Sequence, residues 1–223
     1  KSEYALQLAR SINGEIVNAD AAQMYTRVAV GTAKPLDWHT SDVRHHLFDV
    51  CTTPVHFDVA QYRERILAVV EKIQQRGRQP ILVGGSLFYI KSLFFPPQPV
   101  RGDINKVPDA LRILPIAAQW DALHAIDPVR AAQIHPHDAY RIMRALALVY
   151  ESGQKPSALA PLFSPPFPAH IIFLSPPLEV LYERINQRTL AMFAHGGWVE
   201  EVSELMSDPA WRSFIESKGF IGY

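Results

Sequence analysis

Hydrophobic and polar positions along the chain fall into two kinds of pattern. Short apolar runs end on small or charged residues: Glu15-Ile-Val-Asn-Ala-Asp20, Pro80-Ile-Leu-Val-Gly-Gly-Ser86 and His170-Ile-Ile-Phe-Leu-Ser175. Each has the length and composition of a buried strand. Between the first two, Val59, Tyr62, Ile66, Val69, Val70 and Ile73 recur at helical spacing behind Asp58, with Gln61 three residues on and Gly77 beyond. This predicts a helix with a capping box at its start and a glycine stop. Another helical stretch, Glu3 to Ile12, precedes the first strand, with Gly14 after it. Strands alternating with helices predict an α/β fold with a parallel sheet. In such sheets ligands bind beyond the carboxyl ends of the strands, where Asp20, Ser86 and Ser175 fall.

From Phe95 to Phe167 the pattern changes. Pro96-Pro97, Pro165-Pro166 and Pro168 bracket helical spacing at Trp120 to Ile126, Val129 to Ile134 and Tyr140 to Ser152, with no strand signal. Residues 96–167 therefore read as a helical insert on a core made of 1–95 and 168–223. Glu179 to Met206 is helical again, interrupted at Gly196-Gly197.

Composition narrows the class. At 223 residues, 48% of them hydrophobic, the chain suits one large domain or a core with a small insert. No run of about eighteen apolar residues is present to span a bilayer, so a soluble protein with no membrane partner is expected. The single cysteine, Cys51, makes neither an internal disulfide nor a multi-cysteine zinc site, and the cytoplasm is the expected compartment. Opening on Lys1 rather than Met, the sequence reads as the edge of a longer one. Lys and Arg number 22, as do Asp and Glu, and this neutral sum argues against a broadly basic nucleic-acid surface.

Several constellations could carry chemistry, each with a plainer alternative. Lys1-Ser2 before a helix matches the end of a G-x-x-x-x-G-K-[ST] phosphate loop, but a dipeptide alone says little. Asp20 at a strand end is a candidate base or metal ligand, or else a turn cap. Gly31-Thr-Ala-Lys-Pro35 offers a hydroxyl and a cation to a phosphate, or is only a loop. Gly84-Gly85-Ser86 allows close backbone approach to an anion, or is a tight strand-to-helix turn. Arg141 and Arg144, three apart behind Asp138, suit phosphate or base recognition, or form a solvated face paired with Asp138 or Glu151. Arg184 and Arg188 share a face as a cationic clamp, or pair with Glu183 or Glu179. His135 and His137 flank a proline, which is not the spacing of a zinc pair, and no G-x-S-x-G elbow supports a serine hydrolase.

Taken in order, Lys1-Ser2, Asn18-Ala-Asp-Ala-Ala-Gln-Met-Tyr25, Gly31-Thr-Ala-Lys-Pro35, His45-His-Leu47, Val83-Gly-Gly-Ser-Leu-Phe-Tyr89, Ile134-His-Pro-His-Asp138 with Arg141 and Arg144, Ser152-Gly-Gln-Lys155, Arg184-Ile-Asn-Gln-Arg188 and Ile221-Gly-Tyr223 resemble the bacterial tRNA dimethylallyltransferases. The resemblance spans nearly the whole chain. It implies a P-loop kinase-like core and transfer of a dimethylallyl group from dimethylallyl diphosphate to N6 of the adenosine beside the anticodon, position 37, of tRNA. It implies Asp20 as the catalytic acceptor of the N6 proton, and Arg188 as a second catalytic residue. Lys1, Ser2, Arg184 and Arg188 would hold the diphosphate, with Ser2 as the protein ligand of Mg²⁺. The tRNA anticodon loop would meet Asp20, Ala21, Ala22, Gln23, Ser86, Arg112, Tyr140, Arg141, Ile142, Met143, Arg144, Gly219, Phe220, Ile221, Gly222 and Tyr223. No obligate protein partner is implied, and a monomer is expected. Ala21 stands where the family has serine, and Ser86 where it has threonine.

Two other functions remain: an adenylate isopentenyltransferase or small-molecule P-loop kinase sharing the core, and a non-catalytic RNA-binding protein in which Asp20 is only a cap. The neutral sum does not decide among them. Arg130, Arg141, Arg144 and Lys155 face only Asp138 and Glu151 within their stretch, so this part of the insert is locally basic. A few placed arginines suffice for one structured loop.

Overall fold

The computed structural model describes residues 1–35, 37–96, 102–159, 162–194, 197–220 and 223. They form two compact units, one made of Lys1–Phe94 with Pro165–Tyr223 and the other of Phe95–Ser164.

The first unit is the expected parallel α/β core. Helix α1 (Ser2–Ser11) leads into strand β1 (Gly14–Asn18), all of whose residues are buried. A two-residue strand β2 (His45–His46), helix α2 (Val59–Gln75), strand β3 (Gln79–Val83) and helix α3 (Leu87–Phe94) follow. Both neighbours of β1 run parallel to it, with Ile16 opposite His45 and Asn18 opposite Val83, in the order β2-β1-β3. The Asp58 carboxylate accepts from the amides of Ala60 and Gln61 while the Gln61 side chain accepts from the Asp58 amide, the reciprocal cap that the sequence predicts. Such a cap stabilises a helix by about 1 kcal/mol. Tyr62, Ile66, Val70 and Ile73 turn inward and pack with Val17, Ala19, Met24 and Leu93. Glu15 is buried at the start of β1, where its carboxylate accepts from Arg76 at 2.7 Å and meets His46 at 2.6 Å. Burial alone would raise its pKa, but the bonds from Arg76 and His46 outweigh burial and hold it low.

One expected strand is missing. Residues 170–175 form no ladder among the described residues, and Ile171 and Phe173 are 77% and 82% exposed. The apolar run was a sound local signal, but a strand exists only where a partner edge meets it. Prolines at 165, 166 and 168 on one side and 176 and 177 on the other remove amides that would extend pairing. Helix α4 (Asp109–Arg112), α5 (Ile116–Ile126), α6 (Pro128–Ala131) and α7 (Ala139–Ser152) make up the second unit. Its core is Leu123, Ala131, Ile134, Ile142, Ala145 and Leu146 with Val107. Back in the first unit, α8 (Leu178–Ala194) buries none of its residues, and α9 (Trp198–Ser207) is followed by α10 (Pro209–Lys218). The helical pattern in the sequence stops at Met206 and does not reveal α10, although Asp208-Pro209 is a cap followed by proline at the first helical position. Trp211, Phe214 and Ile215 of α10 complete the first core. No helix among the described residues is long and apolar enough to cross a membrane.

Candidate active site

The site forms at the carboxyl ends of β1 and β3, beside the amino end of α1. The buried Asn18 side chain shapes the exit from β1: its amide donates to the carbonyls of Asp20 and Leu47 at 3.2 and 3.0 Å, and its oxygen accepts from the Asp20 amide at 3.0 Å. Asp20 then spends one oxygen on the chain, Oδ1 accepting from the Ala22 amide at 3.1 Å to open a single helical turn, Ala22–Met24. Its Oδ2 lies 3.9 Å from the point where a Cβ on Gly85 would stand, and Lys1 Nζ lies 3.6 Å from the same point. Carboxylate and ammonium thus converge over Gly85.

The two glycines of Gly84-Gly85-Ser86 have different reasons. A Cβ on Gly84 would overlap the Ala19 carbonyl, so β3 can pass the end of β1 only with glycine there, whereas Gly85 keeps open the space shared by Lys1 and Asp20. Ser86 ties the two strand ends together. Its amide donates to the Ala19 carbonyl at 3.2 Å and its Oγ accepts from the Ala21 amide at 2.9 Å, which leaves the hydroxyl proton to donate outward.

A cavity of about 160 Å³ adjoins this point. Lys1, Ser2, Glu3, Gln23, Asp37 and Ser41 supply its polar lining, and Leu6, Ile16, Phe48 and Val83 its apolar lining. His45 also lines it; its Nδ1 donates to the Val43 carbonyl at 2.7 Å, and burial lowers its pKa. Neutral His45 therefore keeps the lone pair on Nε2. Buried tyrosines brace the floor beneath: the Tyr62 hydroxyl donates to the Asn18 carbonyl, and Tyr62 stacks on Tyr89 at 4.2 Å. Burial raises both phenols, so they stay protonated donors.

For the loop Gly31-Thr-Ala-Lys-Pro35 the structure selects the plainer of the two alternatives. Lys34 is buried and its ammonium donates to the Tyr25 carbonyl at 2.6 Å and pairs with Asp49, while the Thr32 hydroxyl donates to the carbonyls of Val28 and Ala29. Neither group is left for a phosphate. The loop is structural, and the positive φ of Ala33, Leu47 and Asp49 places three strained non-glycine residues around it, as is common near functional sites. Asn18 and His45 stand in motifs of the sequence without an assigned role, and Glu201 gives no signal there. Glu201, on α9, accepts from the amides of Ala29, Val30 and Gly31. Only the contact between segments 170 residues apart reveals it.

Of the residues that the resemblance implies, Lys1, Ser2, Asp20, Ala21, Ala22, Gln23 and Ser86 gather here. Arg184 and Arg188 lie on the exposed α8, outside the cavity lining, with no ion pair among the described residues. Phe220 packs on the first core, Gly219 ends α10 in the left-handed region, and Tyr223 bonds to Glu201. Ile221 and Gly222 lie outside the described residues. In the second unit, Tyr140, Arg141 and Arg144 are exposed on α7 and Met143 is half-buried, with Arg141 3.4 Å from Asp138. Arg112 pairs with Asp109. Ile142 is fully buried in the core of that unit and cannot meet a macromolecule. It belongs to packing, because helical geometry turns it away from its exposed neighbours.

The model of the IPP transferase family matches residues 23–223. A tRNA dimethylallyltransferase of Geobacter sulfurreducens is 37% identical over 230 residues, covering 100% of this chain and 73% of that protein. One from Chloroflexus aggregans is 38% identical, covering 93% of this chain and 71% of that protein. Among solved structures, a eukaryotic dimethylallyltransferase acting on tRNA superposes with a TM-score of 0.74 at 27% identity over 93% of this chain and 53% of its own. A full-length tRNA isopentenylpyrophosphate transferase of Bacillus halodurans gives 0.61 at 27% identity over 99% of this chain and 74% of its own. With its strand ends, glycines and lysine arranged as above, the chain belongs to the IPP transferase family, whose matched relatives are tRNA dimethylallyltransferases.

Proposed function

We propose that this chain transfers a dimethylallyl group from dimethylallyl diphosphate to N6 of adenosine 37 in tRNA, acting as a monomer in the cytoplasm. One observation carries the reading: Asp20 Oδ2 and Lys1 Nζ both lie within 4 Å of one point over Gly85, beside a cavity with polar and apolar walls. On the polar wall Lys1 and the Ser2 hydroxyl suit a diphosphate, and the apolar wall suits a five-carbon tail.

The adenine leaves its stack in the single-stranded loop to reach this point, where unstacking costs least. Its N6 attacks the allylic carbon, the carbon–oxygen bond to the diphosphate breaks, and the electron pair leaves with the diphosphate. Asp20 Oδ2 accepts the N6 proton, while Oδ1 stays bound to the Ala22 amide and holds the carboxylate in place. Lys1 stabilises the charge growing on the departing oxygens. Arg188 and Arg184 join this role as α8 meets the bound diphosphate. Among the described residues no cluster of three His, Cys, Asp or Glu gathers to cage a metal, whereas the Ser2 hydroxyl stands in the cavity lining next to Lys1. That donor set fits Mg²⁺, which keeps several waters and takes substrate phosphate oxygens rather than a protein cage. When bound there, Mg²⁺ neutralises charge on the leaving group. Ser86, Ala21, Ala22 and Gln23 surround the adenine; Gly219 to Tyr223, Arg112, Tyr140, Met143, Arg141 and Arg144 bind the rest of the tRNA loop.

Incubation with labelled dimethylallyl diphosphate and unmodified tRNA tests this. Label in tRNA is expected. Label in free adenylate would support the adenylate transferase, and no turnover with retained RNA binding a non-catalytic protein. Asp20→Ala is expected to abolish transfer with tRNA affinity nearly intact; near wild-type turnover would remove Asp20 from the chemistry.

A further inference from the structure

The carboxylate of Glu201 is filled by donors distant in sequence. Oε2 accepts from the amides of Ala29 and Val30 at 2.9 Å each, and Oε1 from the Gly31 amide at 3.2 Å and from the Tyr223 hydroxyl. Three successive amides converging on one anion form a nest, which binds negative charge through backbone dipoles. Burial, and then the bond to Glu201, raises the Tyr223 phenol, which keeps it a donor. Nothing local demands the conformation that this carboxylate holds. Ala33 sits at φ +52°, a region costly to non-glycine residues, so the loop keeps its shape only because its surroundings hold it.

The clamp connects to the cavity. The carbonyls of Thr32 and Ala33, just past the nest, accept from Gln23 Nε2 at 2.9 and 3.3 Å. Gln23 and Pro35 both line the cavity, and Gln23 belongs to the helical turn that Asp20 Oδ1 opens. We propose that Glu201 is a positioning residue for the donor site: it locks the 29–34 loop and, through Gln23, sets the cavity wall beside Lys1, Ser2 and Asp20. The inference rests on the assignment of that cavity to the diphosphate donor.

Glu201→Gln keeps the size of the side chain, removes its charge and turns one acceptor into a donor facing amide donors. In the full chain, its KM for dimethylallyl diphosphate is expected to rise about tenfold, the size of one charge-assisted bond, with KM for tRNA within about twofold of wild type. The peptide containing residues 29–31 is expected to exchange its amide hydrogens about tenfold faster. Tyr223→Phe removes one donor from the same carboxylate and leaves the nest, so smaller changes in the same direction are expected, about two- to threefold both in donor KM and in exchange at 29–31. An unchanged donor KM in Glu201→Gln overturns the proposal, as does unchanged exchange. So does a fall in kcat with both KM values preserved, which is the mark of a smaller folded population. Should Glu201→Gln fail to fold, Tyr223→Phe decides: an unchanged donor KM there overturns the positioning role. If the wild-type chain itself transfers nothing to tRNA, the reading of the cavity fails, and amide exchange in Glu201→Gln still decides whether the clamp exists.

Discussion

At Asp20 the two oxygens of one carboxylate face different neighbours, one closing a turn with the Ala22 amide and the other turned toward the space over Gly85. From sequence, cap and base stand as alternatives for this residue. In three dimensions they are compatible, because a carboxylate has acceptor capacity for both. Lys34 shows the reverse case. Its position in a small, polar loop suggests a phosphate contact, and burial against Asp49 removes it from that role. His45 carries a pH dependence with a definite sign. Burial lowers its folded pKa below the ordinary value near 6.5, so as pH falls through 6.5 the unfolded chain takes up a proton that the folded chain refuses. Stability is therefore expected to fall with pH from about 6.5 down to the folded pKa. His45→Gln should flatten that part of a denaturation series run between about pH 8 and pH 5; an unchanged slope would show that His45 does not contribute.

Elements were legible where their cause is local. The capping box of α2 and its inner face follow from spacing, and both are present. On α7 the exposed Tyr140, Arg141 and Arg144 and the buried Ile142, Ala145 and Leu146 obey the same 3.6-residue period. Treating 140–144 as one contact surface overlooks that period, which is why Ile142 was misplaced. Residues 170–175 show the limit of local signals, since their apolar run meets no partner edge. The junction of β1 and β3 depends on a close approach between segments distant in sequence, Gly84 against Ala19. Gly84→Ala is expected to destabilise the first unit by at least about 3 kcal/mol, because the obstacle is backbone that cannot swing aside. A thermal melt unchanged from wild type would contradict the close approach.

For the whole molecule, a formal net charge of zero concealed the arrangement that matters. The sum excludes only binding dominated by a broad positive surface, and the exposed arginines of α7 are the basic face proposed for tRNA. Replacing Arg141 and Arg144 together by Gln is expected to weaken tRNA binding and to shallow its salt dependence by about 0.7 for each phosphate that the helix no longer neutralises, leaving KM for dimethylallyl diphosphate unchanged. Equal salt slopes would place the tRNA elsewhere. Reading residues in order sufficed for the parallel α/β class, the helical stretch between proline clusters, the capped helix α2, the carboxylate at the end of β1 and the family resemblance. Each of these is written in neighbours a few positions apart. Folding alone settled that Lys1 and Asp20 approach the same space over Gly85, that Lys34 is buried, that α10 completes the core, and that Glu201 grips a loop 170 residues away. Those facts depend on which distant segments exclude water together and on which backbone amides are left for a carboxylate to satisfy.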